Sequence, residues 1–447
     1  MLNGVMKRIG KIIFLVILPY QALAQSSGVS PYSLFGLGQT QTSSFSYGQI
    51  VGGTQVANNS NLFVNTDQPA SYAQIKYTTL DLGGSYSAIY QSSNKDAIWN
   101  STGGFRSMGV ALPLAKRIGV SAGISPLTQV GYQMRSDGVD QNFGNFVQIF
   151  DGSGGINKSH FGFGYKPLKF FSFGINMNYL FGSLDKRVRM IFENNSFNPV
   201  SNKERLLVNG WSYDLGTILS LSMSGNILNF GVSFSPRQDI SSSHQNTSIT
   251  YLPSSSGSEN PIDTILFSNQ PKGNITLPSS LGLGIHYEKQ VPGILLPAWS
   301  FSLQYKTSAQ SELRDFWSGN SPNIGPFQES SRFLSVSTSL TPFLAFPKRR
   351  YKSKSSQMAY RASFRTGNTG LIIERMPITA WESTLGLGIP LGGSSVLPGD
   401  IKFATLHFGI QMGNLGSGSM DVINEFSIKA LFGVTLNDQW FLKFKYR

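Results

Sequence analysis

Between Phe171 and Phe181 the chain reads FSFGINMNYLF: Phe171, Phe173, Ile175, Met177, Tyr179 and Phe181 share one parity, and Ser172, Gly174, Asn176 and Asn178 share the other. A repeat of two is the period of a β-strand, whose successive side chains leave opposite faces. The same alternation returns in Leu281, Leu283, Ile285 and Tyr287, in Trp299, Phe301, Leu303 and Tyr305, and in Phe230, Val232 and Phe234. It returns again in Leu385, Leu387 and Ile389, in Leu406, Phe408, Ile410 and Met412, and in Phe426, Ile428, Ala430, Phe432 and Val434. Each run is about 10 residues long, the length of a tilted membrane strand rather than the five or six residues of a soluble sheet.

Fourteen strands are expected, near 77–87, 104–113, 118–132, 155–165, 170–182, 210–222, 226–235, 279–288, 298–307, 333–343, 359–373, 380–391, 402–413 and 424–436. The number is even, as in single-chain bacterial barrels. With the last strand running toward the periplasm, the longer connections (88–103, 133–154, 183–209, 236–278, 308–332, 414–423) fall outside and the compact ones (114–117, 166–169, 223–225, 289–297, 392–401) inside. Two depart from that sorting: 374–379 is a short outer turn and 344–358 a long inner one. The second parity is Ser, Gly, Asn, Thr and Gln, so the apolar face is read as lipid-facing and the lumen as polar and partly open. A soluble sandwich is the alternative cover, but it leaves two sheet edges to protect. The aromatic terminus (Trp440, Phe441, Phe444, Tyr446) suits a last strand ending at a membrane interface.

The first residues place the chain outside the cytoplasm. Lys7, Arg8 and Lys11, the run IIFLVIL, Pro19 and Ala22-Leu23-Ala24 have the anatomy of a secretory signal, so 1–24 is expected to be removed. The run is too short for a spanning helix, which needs about 20 residues. No later stretch reaches that length, so a membrane location requires a closed barrel. No cysteine is present, which excludes a lipidated N-terminal cysteine, disulfides, a thiolate nucleophile and Cys-ligated zinc. The net charge of +13 becomes +10 without the signal. It is dispersed over an exported chain, which favours an anionic lipid surface over nucleic acid as the partner.

The expected architecture is all-β: an antiparallel transmembrane β-barrel from 77 to 447, preceded by residues 25–76, rich in Gly, Ser, Gln and Asn, as a hatch or plug in the lumen. "SPYSLFGLGQTQ" at 30–41, "GGTQVANNSNLFVNTDQPASY" at 52–72, "LDLG" at 80–83, "ITLPSSLGLGIHYEK" at 275–289, "ESTLGLGIPLGG" at 382–393 and "LFGVTLNDQWFLKFKYR" at 431–447 follow in an order that resembles the FadL-type outer-membrane transporter family, in the form common in Bacteroidota. The resemblance implies a fourteen-stranded, hatch-closed barrel in the outer membrane of a Gram-negative bacterium. It implies passive uptake or binding of small hydrophobic molecules such as fatty acids or aromatic hydrocarbons, through a lateral gap beside a kinked third strand. Where the family usually carries Asn-Pro-Ala, this hatch has Gln68-Pro69-Ala70, with Asn65 just upstream. In the third strand Pro126 removes a ladder donor and Gly131 weakens pairing, as a kink requires; a bulge serving closure alone is the other reading.

His160, His286 and His407 fall on the inward parity of the fourth, eighth and thirteenth strands, which are not adjacent. They read as lumen polar groups rather than one metal site, and neither metal nor cofactor is expected. His244 lies in a Ser-rich outer segment and receives no role. No nucleophile elbow, paired carboxylates or phosphate loop appears, so no enzyme is expected. The basic turn Lys348, Arg349, Arg350, Lys352 and Lys354 reads as solvated, or as a grip on lipid phosphates or a partner protein. The segment 252–278 is expected as the largest outer loop, over the barrel mouth. From a different functional class, the alternative is a permanently shut barrel serving as a scaffold subunit of an outer-membrane secretion or barrel-assembly complex.

Overall fold

The computed structural model describes residues 30–41, 45–94, 96–194, 196–254, 258–291, 296–315, 329–345, 354–373, 375–391, 402–419 and 422–438. The expected signal, residues 25–29, the C-terminal aromatics and the basic residues Lys348, Arg349, Arg350 and Lys352 lie outside them, as does the Lys354 side chain.

Fourteen strands form the wall: β1 (Thr78–Ser92), β2 (Ala97–Ala115), β3 (Ile118–Asp140), β4 (Gly144–Leu168), β5 (Phe171–Phe192), β6 (Val200–Met223), β7 (Asn226–Ser235), β8 (Ser280–Lys289), β9 (Trp299–Ser308), β10 (Ser331–Leu340), β11 (Ala359–Ile373), β12 (Met376–Leu391), β13 (Lys402–Gly416) and β14 (Asn424–Asp438). Each pairs antiparallel with the next, and β14 closes on β1 from Asn424↔Ser92 to Asp438↔Thr78. Closure satisfies backbone groups that a hydrocarbon solvent would leave unpaired. The sidedness answers the alternation: Phe173 and Met177 are 40% and 51% exposed on the outside of β5, while Asn176 and Asn178 are 0% and 1% exposed inside. The apolar face therefore meets lipid and not a second sheet.

Above the belt the chain departs from the sequence expectation. The segments 133–154, 183–209 and 236–278, expected as loops, are largely sheet. β3 continues to Asp140 and β4 starts at Gly144, β5 and β6 rise together, and a hairpin of Gln238–Pro253 and Glu259–Leu277 stands beside β6 through Val200↔Thr250 to Val208↔Ser242. The 252–278 segment is thus part of a raised wall rather than an irregular loop. Here the faces exchange chemistry. Inward positions that are polar at membrane level become Ile156, Leu180, Leu184, Val208, Ile240 and Ile275, which form one apolar cluster with Leu37, Val130, Tyr132 and Leu313. Headgroups and water replace hydrocarbon outside the wall at this height, so the ordinary rule of apolar inside returns and the lipid-facing signature vanishes from the sequence.

β2 and β3 pair only from Met108↔Ile124 to Ala115↔Ile118. Beyond that level they part, and Pro126 lies where they do. The β3–β4 register is irregular between Pro126 and Thr128, so the buried parity changes from Ser121 and Ser125 to Thr128, Val130 and Tyr132. Pro126 sits at a bulge.

Candidate functional site

Residues 45–77 pack against the inward face of the wall. The segment carries one short helix, α1 (Ser46–Ile50), and a 3-10 turn at Pro69–Gln74 that Pro69 opens. Its own apolar residues form two clusters, Phe45, Val64, Tyr72 and Ile75 against Ala111, and Tyr47, Val51, Leu62 and Phe63. The wall receives it through glycine. Gly119, Gly164, Gly174 and Gly216 are register partners across β3 to β6, and the 68–73 turn lies on that row. A Cβ on Gly119 would stand 1.9 Å from the Tyr72 carbonyl oxygen, and one on Gly174 2.4 Å from the Pro69 carbonyl carbon. Main chain meets main chain, as only glycine permits.

Amides tie the segment down. Gln304 of β9 accepts from the Gln55 and Val56 N–H groups, both at 2.9 Å, and donates to the Gly53 carbonyl at 3.0 Å. Gln68 donates to the carbonyls of Val56 (2.7 Å), Thr217 (3.1 Å) and Val232 (3.2 Å). Asn65 donates to the Gln55 and Asn58 carbonyls, and Asn437 to the Leu62 carbonyl. Tyr72 donates to Asn176 Oδ1 at 3.0 Å, and Asn176 Nδ2 to the Thr66 carbonyl. Burial pushes the Tyr47 and Tyr72 phenols up, so both stay neutral. Gln304→Leu should orphan two buried N–H groups and a carbonyl, costing about 2–4 kcal/mol, read as a lower temperature for loss of the compact electrophoretic band.

A second clasp links four wall strands to α1. The Arg361 guanidinium of β11 lies 4.8 Å from the Tyr47 ring centroid, and Tyr47 stacks on Phe63 at 4.1 Å. Arg361 Nη1 donates to His407 Nδ1 (3.1 Å), so Nε2 carries the ring proton and donates to Thr435 Oγ1 (2.9 Å). Thr435 donates to Asp81 Oδ2 at 2.7 Å, and Asp81 also accepts from the Ser46 hydroxyl and its N–H. A buried cation and a buried carboxylate are thus joined through His407 and Thr435, with α1 held at the acidic end.

The three inward histidines do not converge. His160 bonds Ser121 at 3.1 Å and His286 bonds Ser302 at 2.7 Å, while His407 belongs to the clasp, and no metal-binding group occurs among the described residues. His244 pairs with Glu204 at 2.7 Å on the raised wall. Gly131 sits on the free side of β3, where its N–H donates to Ser33 Oγ and its carbonyl accepts from the Ser30 N–H. Asp81, Arg361, Gln304 and Asn176 were not singled out from sequence. A lone carboxylate on the inward parity of "TTLDLGG" was the available signal for Asp81.

Two cavities open on the inner side of the wall. One of about 450 Å³ lies above the segment, with Leu37, Leu180, Leu313, Phe333, Leu371 and Trp381 among its lining. Thr66 and Asp67 border it, whereas Asn65, Gln68, Pro69 and Ala70 do not. The other, about 510 Å³, fills the parting of β2 and β3 and is mixed in character, with Ile89, Phe105 and Pro126 beside Gln41, Arg106, Gln129, Asn157, Ser183 and Lys429 in its lining. Gln39 and Thr40 pair with Gln129 and Thr128 on the β3 side of this parting, and Arg106 of β2 reaches Gln41.

The sequence model of the BamG family matches residues 5–447. No curated protein matches. Among solved structures, a Pseudomonas aeruginosa FadL homologue superposes with a TM-score of 0.52 at 12% identity, covering 91% of this chain and 100% of that one. The Ralstonia pickettii toluene transporter TbuX gives 0.50 at 12% identity, with 89% and 99% covered. At such identity the likeness is one of fold.

Proposed function

The chain belongs to the BamG family, and we propose that it is a plugged outer-membrane barrel acting through its surfaces, as an accessory subunit of a complex that assembles or exports outer-membrane proteins. In this reading residues 25–76 are a permanent plug. The observation that carries it is the main-chain contact between the 56–73 segment and the inward glycines, which seats the segment against the wall too closely for it to slide aside as a rigid body. The parting of β2 and β3 supports it as well. A lateral exit for hydrocarbons is favoured by an apolar lining, and here Ile89, Phe105 and Pro126 are interrupted by amides, hydroxyls, Arg106 and Lys429, whose desolvation an apolar solute does not repay. The raised wall extends sheet beyond the belt, where a partner meets it, and the family name points to an assembly role.

The second reading is uptake of small hydrophobic molecules, favoured by the part-apolar cavity of about 450 Å³ and by the fold shared with the toluene transporter. Extraction of the tagged chain from its own membrane separates the two. The scaffold predicts defined copurifying outer-membrane proteins and no steady conductance in planar bilayers. A chain purified alone that carries an aromatic hydrocarbon into liposomes saturably would replace it with the transporter.

A further inference from the structure

The outward faces of β5 and β6 change chemistry in a fixed order with height. On β5 the outward residues run Phe173, Ile175, Met177, Tyr179, Phe181, Ser183, Asp185, Arg187 and Arg189. On β6 they run Leu219, Thr217, Leu215, Tyr213, Trp211, Asn209, Leu207, Arg205 and Lys203. Tyr179 and Trp211 lie 5.2 Å apart as an interfacial aromatic pair. Apolar, then aromatic, then small polar, then cationic is the profile of a wall leaving hydrocarbon and entering a headgroup layer.

In that cationic zone the hairpin bends over the outward face, since Glu259, near the hairpin tip, reaches Arg187 of β5 at 3.2 Å. The bend encloses a concavity of about 200 Å³ lined by Ser201, Lys203, Arg205, Gln245, Thr247, Ile249 and Glu259. Arg205 is oriented by Asp185 at 2.7 Å, and Arg187 by Glu259. Lys203 forms no ion pair among the described residues. The three cations exceed the two carboxylates, and hydroxyl and amide donors stand beside them.

We propose that this concavity binds the phosphate ester of an outer-leaflet lipid headgroup, with Lys203 and Arg205 as the charged donors and Ser201, Gln245 and Thr247 as neutral ones. The volume admits a phosphate group and its ester linkage but not an acyl chain, and the lipid's chains would run down the apolar belt below Leu207. A phosphorylated headgroup meets the site at the height where membrane anions lie, whereas free phosphate has no reason to concentrate there. The inference rests on the membrane placement of the belt and is independent of the role proposed above.

The test uses the full chain in phosphatidylcholine nanodiscs with and without diphosphoryl lipid A, followed by release and native mass spectrometry of the lipid that stays bound. Lipid A should remain on the wild type. The double variant K203Q/R205Q should retain about tenfold less, and K203R/R205K should retain most of it. Unchanged heat-modifiable migration on gels shows that each variant is folded; a misfolded K203Q/R205Q is replaced by T247V with K203Q. Equal retention by wild type and the charge-neutral variants overturns the site. Displacement of lipid A by millimolar inorganic phosphate overturns the lipid assignment.

Discussion

Gly174→Val is expected to cost about 3 kcal/mol and to lift the 68–73 turn off the wall. The new Cβ would stand 2.4 Å from the Pro69 carbonyl carbon, 2.5 Å from its oxygen and 2.6 Å from the Ala70 nitrogen. All three are backbone atoms, and neither side can yield by rotating a side chain. The turn is also held at Tyr72 and Asn176 and by Gln68, so it cannot slide along β5 without breaking those bonds. The wall, with its continuous ladder through Gly164↔Gly174↔Gly216, should keep its shape while the segment moves. Limited proteolysis of the folded barrel should then cut within residues 45–77, which the wild type protects, and planar bilayers should show open-pore steps. Gly104→Ala, where a Cβ meets nothing within 4 Å, is the control and should stay within about 0.5 kcal/mol of wild type. An unchanged digestion pattern in Gly174→Val would show that the glycine row is not what admits the segment.

The second large effect lies at Asp81. Asp81→Leu removes the acceptor of Thr435 and of Ser46, and leaves Arg361 buried with no carboxylate at the far end of its relay. The expected loss is about 3–5 kcal/mol, as for breaking a buried ion pair from one side. Asp81→Asn keeps the shape and one acceptor oxygen and should lose about 1–2 kcal/mol. Replacing both ends, D81L with R361M, should recover part of the loss, because no charge is then stranded. A double-mutant cycle on thermal denaturation should give a coupling of about 1 kcal/mol or more. Additive losses would mean that Arg361 and Asp81 act separately on α1 and that the His407–Thr435 relay transmits nothing between them.

Much of this architecture is legible along the chain. Alternation marked the fourteen strands because hydrocarbon outside and polar groups inside impose a strict period of two, and each strand must hold that pattern over the full thickness of the belt. The readings became poorest where the solvent changed. In β5 the apolar run on the outward face ends at Phe181 and the inward Leu180 and Leu184 take over the apolar role, so one strand carries two opposite phases and the upper part reads as loop. Pro126 was visible as a breaker, yet its effect, a bulge that exchanges the buried parity of β3, depends on which β4 residues lie opposite. Parity assigns the histidines a face of their strands but says nothing of their partners. His407 acquires its role from Arg361 two strands one way and Thr435 one strand the other.

Period, strand length, the position of glycines and the absence of a spanning helix are local properties, and the sequence alone determined them: they commit this chain to a barrel with lipid on one face. What the inward face holds is decided by register, which aligns Gly119, Gly164, Gly174 and Gly216 from four separate strands into one row and sets Asp81 and Arg361 at the ends of one relay. No interval along the chain encodes those juxtapositions. They arise when the ring closes on the N-terminal segment, and only the tertiary structure decided them.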